Sequence, residues 1–269
     1  MIKINNKLIT QAHFPDNSLK IKTDYIDFDF DLSWMGVSHS GKILTWHYES
    51  DAELFTIICI RKHFNHQDMI LEMPYCPHAR MDRVKNKNEF FTLKHFADVI
   101  NSLNFSEVRI YDPHSNVCTA LINNVVVTHP VNEINKTLKE INSENLVAFY
   151  PDEGAMKRGT DYLTGAYAFG TKKRDWNTGQ ILGLELMNKE VVMNRDVLII
   201  DDICSRGGTF YHSAKALKEA GANKIYLYVT HCENTILEGE LLTSGLIEKV
   251  YTTDSIFTKE HEKIEVFKI

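Results

Sequence analysis

The chain has 269 residues and a formal net charge of -6 at pH 7, with 43% hydrophobic and 25% charged residues. This length and composition are typical of a globular protein with one large or two smaller domains, and they argue against a disordered chain. The acidic balance argues against a nucleic-acid binder, which needs a basic surface. The net charge does not exclude the binding of small anionic ligands, because a local group of cations and backbone N–H donors can bind them at any net charge.

The cysteines and the apolar runs favour a cytoplasmic protein. The five cysteines are odd in number and include no C-x-x-C pair, which is typical of reduced thiols in the cytosol. The first residues lack the apolar region of a signal peptide. The longest apolar run, residues 54–60, is too short to span a bilayer. We therefore expect neither secretion nor membrane insertion.

Strands and helices are predicted to alternate along the chain. Short apolar runs predict strands at 69–74, 108–112, 146–150, 197–201 and 225–230. Helical spacing of apolar residues predicts a helix over 90–103, and a second helix follows two glycines and ends at Gly221. This order predicts an α/β fold with parallel sheets covered on both faces. A polar stretch over 126–139 indicates a domain boundary, and we expect domains at 1–128 and 129–269.

The clearest functional signal lies in residues 197–209, which read VLIIDDICSRGGT. A buried strand carries Asp201 and Asp202 to its carboxyl end, where ligands of open parallel sheets bind. The two glycines let a phosphate approach the backbone, the following helix offers N–H groups to an anion, and Thr209 adds a hydroxyl. The acids would repel a phosphate, but they suit ribose hydroxyls. The motif therefore predicts one ligand with both a ribose diol and a phosphate.

This motif resembles the phosphoribosyl-pyrophosphate (PRPP) signature of the type I phosphoribosyltransferase fold. Four further segments narrow the resemblance to the ribose-phosphate pyrophosphokinases, because ordinary transferases of the fold lack them. They are similar to the family's I-P-Y-x-x-Y-A-R-Q-D-R, D-L-H-A, S-P-D-x-G-G and D-K-R-R, and they read MPYCPHARMDR (73–83), YDPHS (111–115), YPDEGA (150–155) and TKKR (171–174). Residues 13–18, HFPDNS, are more distantly similar to R-F-S-D-G-E.

The resemblance implies a fold, an activity and an assembly. It implies two phosphoribosyltransferase-type domains, each with a central, mainly parallel sheet flanked by helices. The family transfers the terminal diphosphate of ATP to the anomeric hydroxyl of ribose 5-phosphate, forming PRPP for nucleotide biosynthesis and releasing AMP. A Mg²⁺ cofactor and a homo-oligomer, dimer or hexamer, are expected with it.

The resemblance also assigns roles to individual residues. Lys172 and Arg174 would be the catalytic cations. Because Lys173 follows directly, the catalytic lysine could be either Lys172 or Lys173. Magnesium would be bound by His114 and Asp152. The residues expected to contact ATP are Phe14, Asp16, Arg80, Arg83 and His114, with Phe14 and Asp16 reaching adenine from a neighbouring subunit. The residues expected to hold the ribose and its phosphate are Asp201, Asp202, Ser205, Arg206, Gly207, Gly208 and Thr209.

One departure from the family pattern bears on the acceptor. The family's D-T-G-G-T has become S-R-G-G-T, so that Ser205 replaces an acid and Arg206 is an added cation. This change moves the local charge toward positive and favours a more anionic ligand. ADP-ribose, an acceptor in NAD⁺ salvage, is therefore an alternative to ribose 5-phosphate, and we hypothesise that Arg206 contacts the phosphate region.

The sequence is also compatible with two other functions. A phosphoribosyltransferase of the same fold would consume an activated ribose and would not need Arg80 or His114. A catalytically silent homologue would bind nucleotides and regulate an active partner, but it would not need the full set of catalytic and binding residues. We expect no nucleic-acid and no membrane partner.

Overall fold

The computed structural model describes residues 1–23, 41–65, 67–160, 162, 165–174 and 181–269, with the backbone alone at 172–174 and 181–184. The chain forms two compact units, Met1–His129 and Pro130–Ile269. Within the described residues, no helix has the length and the apolar character needed to cross a membrane.

The first unit is built on a seven-stranded mixed sheet. Its strands are β1 (Ile2–Ile4), β2 (Lys7–His13), β3 (Leu19–Thr23), β4 (Lys42–Trp46), β5 (Met69–Met73), β6 (Glu107–Tyr111) and β7 (Val125–Thr128). Its described helices are α1 (Ala52–His63), α2 (Thr92–Ser102) and α3 (Asn116–Leu121). The strand order is β3-β2-β1-β4-β5-β6-β7. Strands β4 to β7 pair in parallel, and β1, β2 and β3 add an antiparallel extension beside β4.

Helix α2 shows how the sequence directs side chains into this unit's core. Its buried residues are Leu93, Phe96, Ala97 and Ile100, which recur at the spacing of one helix face. The helix was predicted over 90–103 and begins two residues later. Phe90 precedes it and is 75% exposed, so this phenylalanine does not belong to the apolar face.

The second unit is built on another seven-stranded sheet. Its strands are β8 (Leu146–Tyr150), β9 (Tyr167–Arg174), β10 (Ile181–Met187), β11 (Asp196–Cys204), β12 (Ile225–Cys232), β13 (Lys249–Thr253) and β14 (Ile264–Phe267). Its described helices are α4 (Val131–Ile141), α5 (Glu153–Gly159) and α6 (Gly208–Glu219), with 3-10 helices at Lys189–Val192 and Asn234–Glu238. The order is β10-β9-β8-β11-β12-β13-β14, and among these strands only the pair of β9 and β10 is antiparallel.

Strand β11 is covered on both faces, as its continuous apolar run predicts. Val197 and Ile199 pack into the cluster that contains Phe210 of α6. Leu198 and Ile200 belong to a second cluster, which contains residues of α4 and α5. The strand therefore lies between two layers of helices.

The predicted α/β class is confirmed, as two mixed sheets flanked by helices. The strand predicted at 146–150 coincides with β8, whereas the strand predicted at 197–201 runs on to Cys204. The antiparallel strands β1, β2, β3 and β10 lie at one end of each sheet, which agrees with the central, mainly parallel sheets that the family resemblance implies.

Candidate functional site

The second unit has a topological switch point between β8 and β11. From β8 the chain continues to β9 on one side, and it returns through β11 on the other side of β8. Ligands of open α/β sheets bind at the carboxyl ends of strands where the order reverses in this way. Asp152 follows β8, and Asp201 and Asp202 lie near the end of β11, so the fold brings these predicted site residues to one edge.

The acid pair is largely buried and shares one cation. The side chains of Asp201 and Asp202 are 15% and 4% exposed. Arg158 places Nη2 at 3.0 Å from Oδ1 of Asp201 and at 2.5 Å from Oδ1 of Asp202. Burial and the neighbouring charge of Asp202 raise the pKa of Asp201 well above its usual range, and the guanidinium opposes this shift. The pair is therefore a compact acidic site with a built-in counter-charge.

Arg158 was missed by the sequence analysis. It lies on α5, the helix that follows β8, and it reaches the acids because β8 and β11 are neighbours in the sheet. The available signal was its place one helical turn after Gly154, in the segment similar to S-P-D-x-G-G. Using that signal requires the strand order, which local sequence patterns do not give.

Helix α6 begins at the glycine turn, and the structural reasons for a glycine differ between Gly207 and Gly208. Gly207 has φ +79°, a left-handed conformation that strains other residues, and a Cβ there would lie 3.0 Å from Cδ2 of Leu241. At Gly208 an added Cβ would meet no atom within 4 Å among the described residues beyond its chain neighbours and its own helix. Gly208 and Thr209 are both exposed. Packing therefore explains Gly207, while in the described part of the chain no side chain fills the space beside Gly208.

Two carboxylates lie beside the residues that depart from the family pattern. Ser205 Oγ donates to Oε2 of Glu233 at 2.7 Å. Arg206 Nη2 donates to Oε2 of Glu238 at 3.1 Å, in an ion pair whose side chains are 72% and 60% exposed. These carboxylates offset the positive shift of charge that the sequence predicts. Sequence reasoning missed both, because they follow β12 and reach the turn only through the pairing of β12 with β11.

Asp152 caps the helix that carries Arg158. Its Oδ1 accepts the backbone N–H of Ala155 at 3.0 Å. In the described part of the chain, no group of three or more His, Cys, Asp or Glu side chains could hold a metal ion. A hard Mg²⁺ ion binds carboxylate oxygens and usually keeps several waters or phosphate oxygens, so one acid such as Asp152 fits a sparse magnesium site. The imidazole of His114 is a softer ligand, and suits magnesium less well.

In the first unit, the loops after β5 and β6 are fastened together. The two strands are parallel neighbours, so both loops leave the same edge of the sheet. Cys76, after β5, has its Sγ 2.7 Å from Sγ of Cys118 in α3, and both residues are buried. The hydrogen bond with Cys118, together with burial, raises the pKa of Cys76 well above its usual range. This contact joins the segment of Arg80 to the segment of His114.

The predicted ATP-contacting cations lie on the surface of that edge. Arg80 and Arg83 are exposed, and Nε of Arg83 is 3.6 Å from Oδ1 of Asp82. His114 lies in the loop that connects β6 to α3, and it is partly buried. His78, within the same segment, has φ +60°, and its Nε2 is 3.1 Å from Oδ1 of Asp51. The segment is therefore fixed at His78 and presents its arginines to solvent.

The turn between β2 and β3 exposes an aromatic side chain. Phe14 is 48% exposed, and Nζ of Lys20 lies 5.4 Å from its ring centroid. Asp16 accepts hydrogen bonds from Oγ and the backbone N–H of Ser18 at 2.6 and 3.0 Å, which lower its pKa. This turn presents Phe14 as the expected adenine contact requires, and that role stays a prediction.

Several curated proteins that are similar to this chain share one name. No family model matches the chain. It is 24% identical to the ribose-phosphate pyrophosphokinase of Saccharolobus solfataricus, over 86% of this chain and 77% of that protein. The Bacillus subtilis protein of the same name is 28% identical over 80% and 68%, and that of Mycoplasma pneumoniae is 26% identical over 100% and 82%. The chain is a homologue of the ribose-phosphate pyrophosphokinases.

A solved structure shows that the fold is shared with this family. The phosphoribosylpyrophosphate synthetase of Mycobacterium smegmatis superposes with a TM-score of 0.78, over 97% of this chain and 86% of that one, at 16% identity. The resemblance to the ribose-phosphate pyrophosphokinases that the sequence motifs predict is therefore confirmed.

The family's basic segment falls on β9 in this chain. The backbone of Lys172, Lys173 and Arg174 belongs to β9 and pairs with β10. Their side chains lie outside the described part of the structure, so the assignment of Lys172 and Arg174 as the catalytic cations stays a prediction.

Proposed function

We propose that this chain is an ATP-dependent diphosphokinase that acts on a 5-phosphorylated ribose, with ribose 5-phosphate as the first candidate acceptor. One observation carries the proposal. The buried acid pair and the open glycine turn lie on one strand, loop and helix at a topological switch point. The homology to ribose-phosphate pyrophosphokinases supports this reaction over the other chemistries of the fold.

The proposed reaction needs no protein nucleophile. Asp201 and Asp202 would accept hydrogen bonds from the ribose hydroxyls, and the N–H groups at the start of α6 would hold the 5-phosphate. The anomeric hydroxyl would attack the middle phosphorus of ATP, the diphosphate would move to the sugar, and AMP would leave. Transfer of this kind depends mainly on positioning and on charge stabilisation, which Lys172 and Arg174 would provide.

Magnesium and the nucleotide complete the proposal. Bound magnesium would neutralise charge on the phosphates of ATP, with Asp152 and His114 as the ligands from the chain. Arg80 and Arg83 would bind the triphosphate, for which a planar guanidinium is well suited. Phe14 and Asp16 would contact adenine from a neighbouring subunit, and we therefore propose a homo-oligomer.

A direct assay tests the reaction. The protein is incubated with ATP and Mg²⁺, and with ribose 5-phosphate, ADP-ribose or no sugar, and the products are identified by mass. We expect AMP together with a sugar that has gained a diphosphate, only where sugar and Mg²⁺ are both present. The absence of AMP with both acceptors would contradict the proposal. Consumption of PRPP with a free base would indicate a transferase instead.

Arg206 provides a test of the acceptor. In the Arg206→Thr variant, we expect the KM for ADP-ribose to rise more than the KM for ribose 5-phosphate, because only the first ligand carries a second phosphate group. Lys215→Thr is the matched control, since it removes an exposed positive charge about two turns along α6. If Arg206→Thr leaves the affinity for both acceptors unchanged, Arg206 does not contact the ligand.

A further inference from the structure

We propose that Arg158 is a positioning residue of the ribose site, whose guanidinium fixes Asp201 and Asp202 in the arrangement that accepts the sugar hydroxyls. The proposal rests on the proposed function of the acid pair. It concerns a residue that acts through the two acids rather than on the substrate.

The contact geometry is the first support. A single nitrogen, Nη2 of Arg158, contacts Oδ1 of both acids, at 3.0 and 2.5 Å. Two adjacent carboxylates with little solvent repel one another and would turn apart or take up a proton. A shared charge-assisted donor draws one oxygen of each acid toward the same point. The mutual orientation of the two carboxylates therefore depends on the guanidinium.

Arg158 is itself held in place by the helix that carries it. A Cβ at Gly154 would lie 3.6 Å from Nη1 of Arg158 and 3.2 Å from Oδ1 of Asp152. The guanidinium therefore lies back along the helix toward its start, the direction that helical side chains favour.

The end of the same helix is pressed onto the sheet. A Cβ at Gly159 would overlap the ring of Tyr150, the last residue of β8. Because only a glycine permits this approach, the turn that bears Arg158 lies directly on β8, and β8 is the neighbour of β11. The distance from α5 to the acid pair is thus set by backbone packing rather than by a flexible loop.

The charge balance agrees with a positioning role. When both acids are ionised, two carboxylates and one guanidinium give a net charge of −1; the side chains of Arg158, Asp201 and Asp202 are 28%, 15% and 4% exposed. The site keeps acceptor oxygens for a diol, and it avoids two uncompensated charges in a largely buried place. If this ion pair only stabilised the fold, weakening it would change the binding of the sugar and the binding of ATP to the same extent.

The experiment compares Arg158→Met and Arg158→Lys with Lys157→Met, which removes an exposed charge from the same helix. For each protein, kcat and the KM for ribose 5-phosphate and for ATP are measured, together with the melting temperature. We expect Arg158→Met to raise the KM for ribose 5-phosphate by about tenfold or more and to leave the KM for ATP unchanged. Arg158→Lys should recover part of the loss, because it keeps the charge without the planar fork. Lys157→Met should match the wild type.

The possible outcomes separate this role from the proposed function. A wild-type chain that neither binds ribose 5-phosphate in calorimetry nor forms AMP overturns the proposed function, and the role of Arg158 with it. A wild type that binds the sugar, beside an Arg158→Met variant that binds it equally well, overturns the role alone. Equal rises in the KM for the sugar and for ATP would indicate a merely structural residue. If Arg158→Met does not fold, the same comparison is made with Arg158→Lys, and an unchanged KM for the sugar then overturns the role.

Discussion

Separate alanine substitutions at the two adjacent glycines of the turn should have different effects: Gly207→Ala should lower the stability of the fold, and Gly208→Ala should lower the affinity for the sugar phosphate. In Gly207→Ala, the left-handed backbone at φ +79° costs about 1–2 kcal/mol. The new Cβ would also lie 3.0 Å from Leu241, which adds roughly 1 kcal/mol or more from overpacking. The sum of about 2–4 kcal/mol corresponds to a melting temperature lower by roughly 10 °C.

Gly208→Ala should leave the fold intact. Beyond its own helix and chain neighbours, its Cβ meets no atom of the described residues within 4 Å, and alanine is the better helix former at a helical position. We therefore expect an unchanged or slightly higher melting temperature. The same methyl group would occupy the space in which the 5-phosphate is proposed to approach the backbone. The affinity for ribose 5-phosphate should accordingly fall by about tenfold, or about 1.4 kcal/mol.

Scanning calorimetry gives the melting temperatures of the two variants, and titration calorimetry gives the affinity for ribose 5-phosphate without requiring catalysis. The KM for ATP serves as an internal control, because the turn is not proposed to contact the nucleotide. A stable Gly208→Ala protein that binds ribose 5-phosphate like the wild type would refute the placement of the phosphate at this turn.

Two further predictions concern buried acids. Asp201 has a raised pKa, so its ionised form costs stability as the pH rises through that value. Asp201→Asn should therefore raise the melting temperature at pH 8 by about 2–4 °C and lose sugar binding, with the thermal gain disappearing in acid. A lower melting temperature at pH 8 would contradict this reasoning. Burial alone would raise the pKa of Glu53, but hydrogen bonds from the Trp46 indole at 2.9 Å, the Met1 ammonium at 2.9 Å and the Glu49 amide at 2.8 Å hold it below its usual value. The stability from Glu53 is therefore present above its usual pKa near 4.5 and is lost as the pH falls through the lowered value. In urea unfolding, Glu53→Gln should cost about 1–3 kcal/mol at pH 7, with a smaller difference at pH 3.5, and an equal loss at both pH values would argue against the ionised state.

The sequence predicts the centre of the site well, because its signals are local. An uninterrupted apolar run marks β11 as a buried strand, and two glycines followed by helical spacing mark the turn and α6. The end of β11 was placed too early, since Ile203 and Cys204 continue the strand beyond the acids. The sequence predicts that the strand ends at the charged pair, but the pairing with β12 continues past Asp201 and Asp202 to Cys204.

The partners of the acids and of the turn could not be predicted in the same way. Arg158 lies 43 positions before Asp201, and Glu233 lies 28 positions after Ser205. Both contacts exist because β8 and β12 flank β11, and strand order is decided by long-range packing rather than by local periodicity. Strand β1 was not predicted for a different reason, because it has only three residues and shows no pattern of its own.

The hydrogen bond between Ser205 and Glu233 constrains how this turn can change in evolution. Glu233 already brings a carboxylate to 2.7 Å from the hydroxyl of Ser205. An aspartate at position 205, where the family pattern has its acid, would meet a like charge there. Positions 205 and 233 should therefore covary among relatives, with an acid at one of them accompanied by a neutral residue at the other. A lineage in which the acid moves from position 205 to position 233 would pass more easily through a form with a serine at 205 than through a form with an acid at both positions.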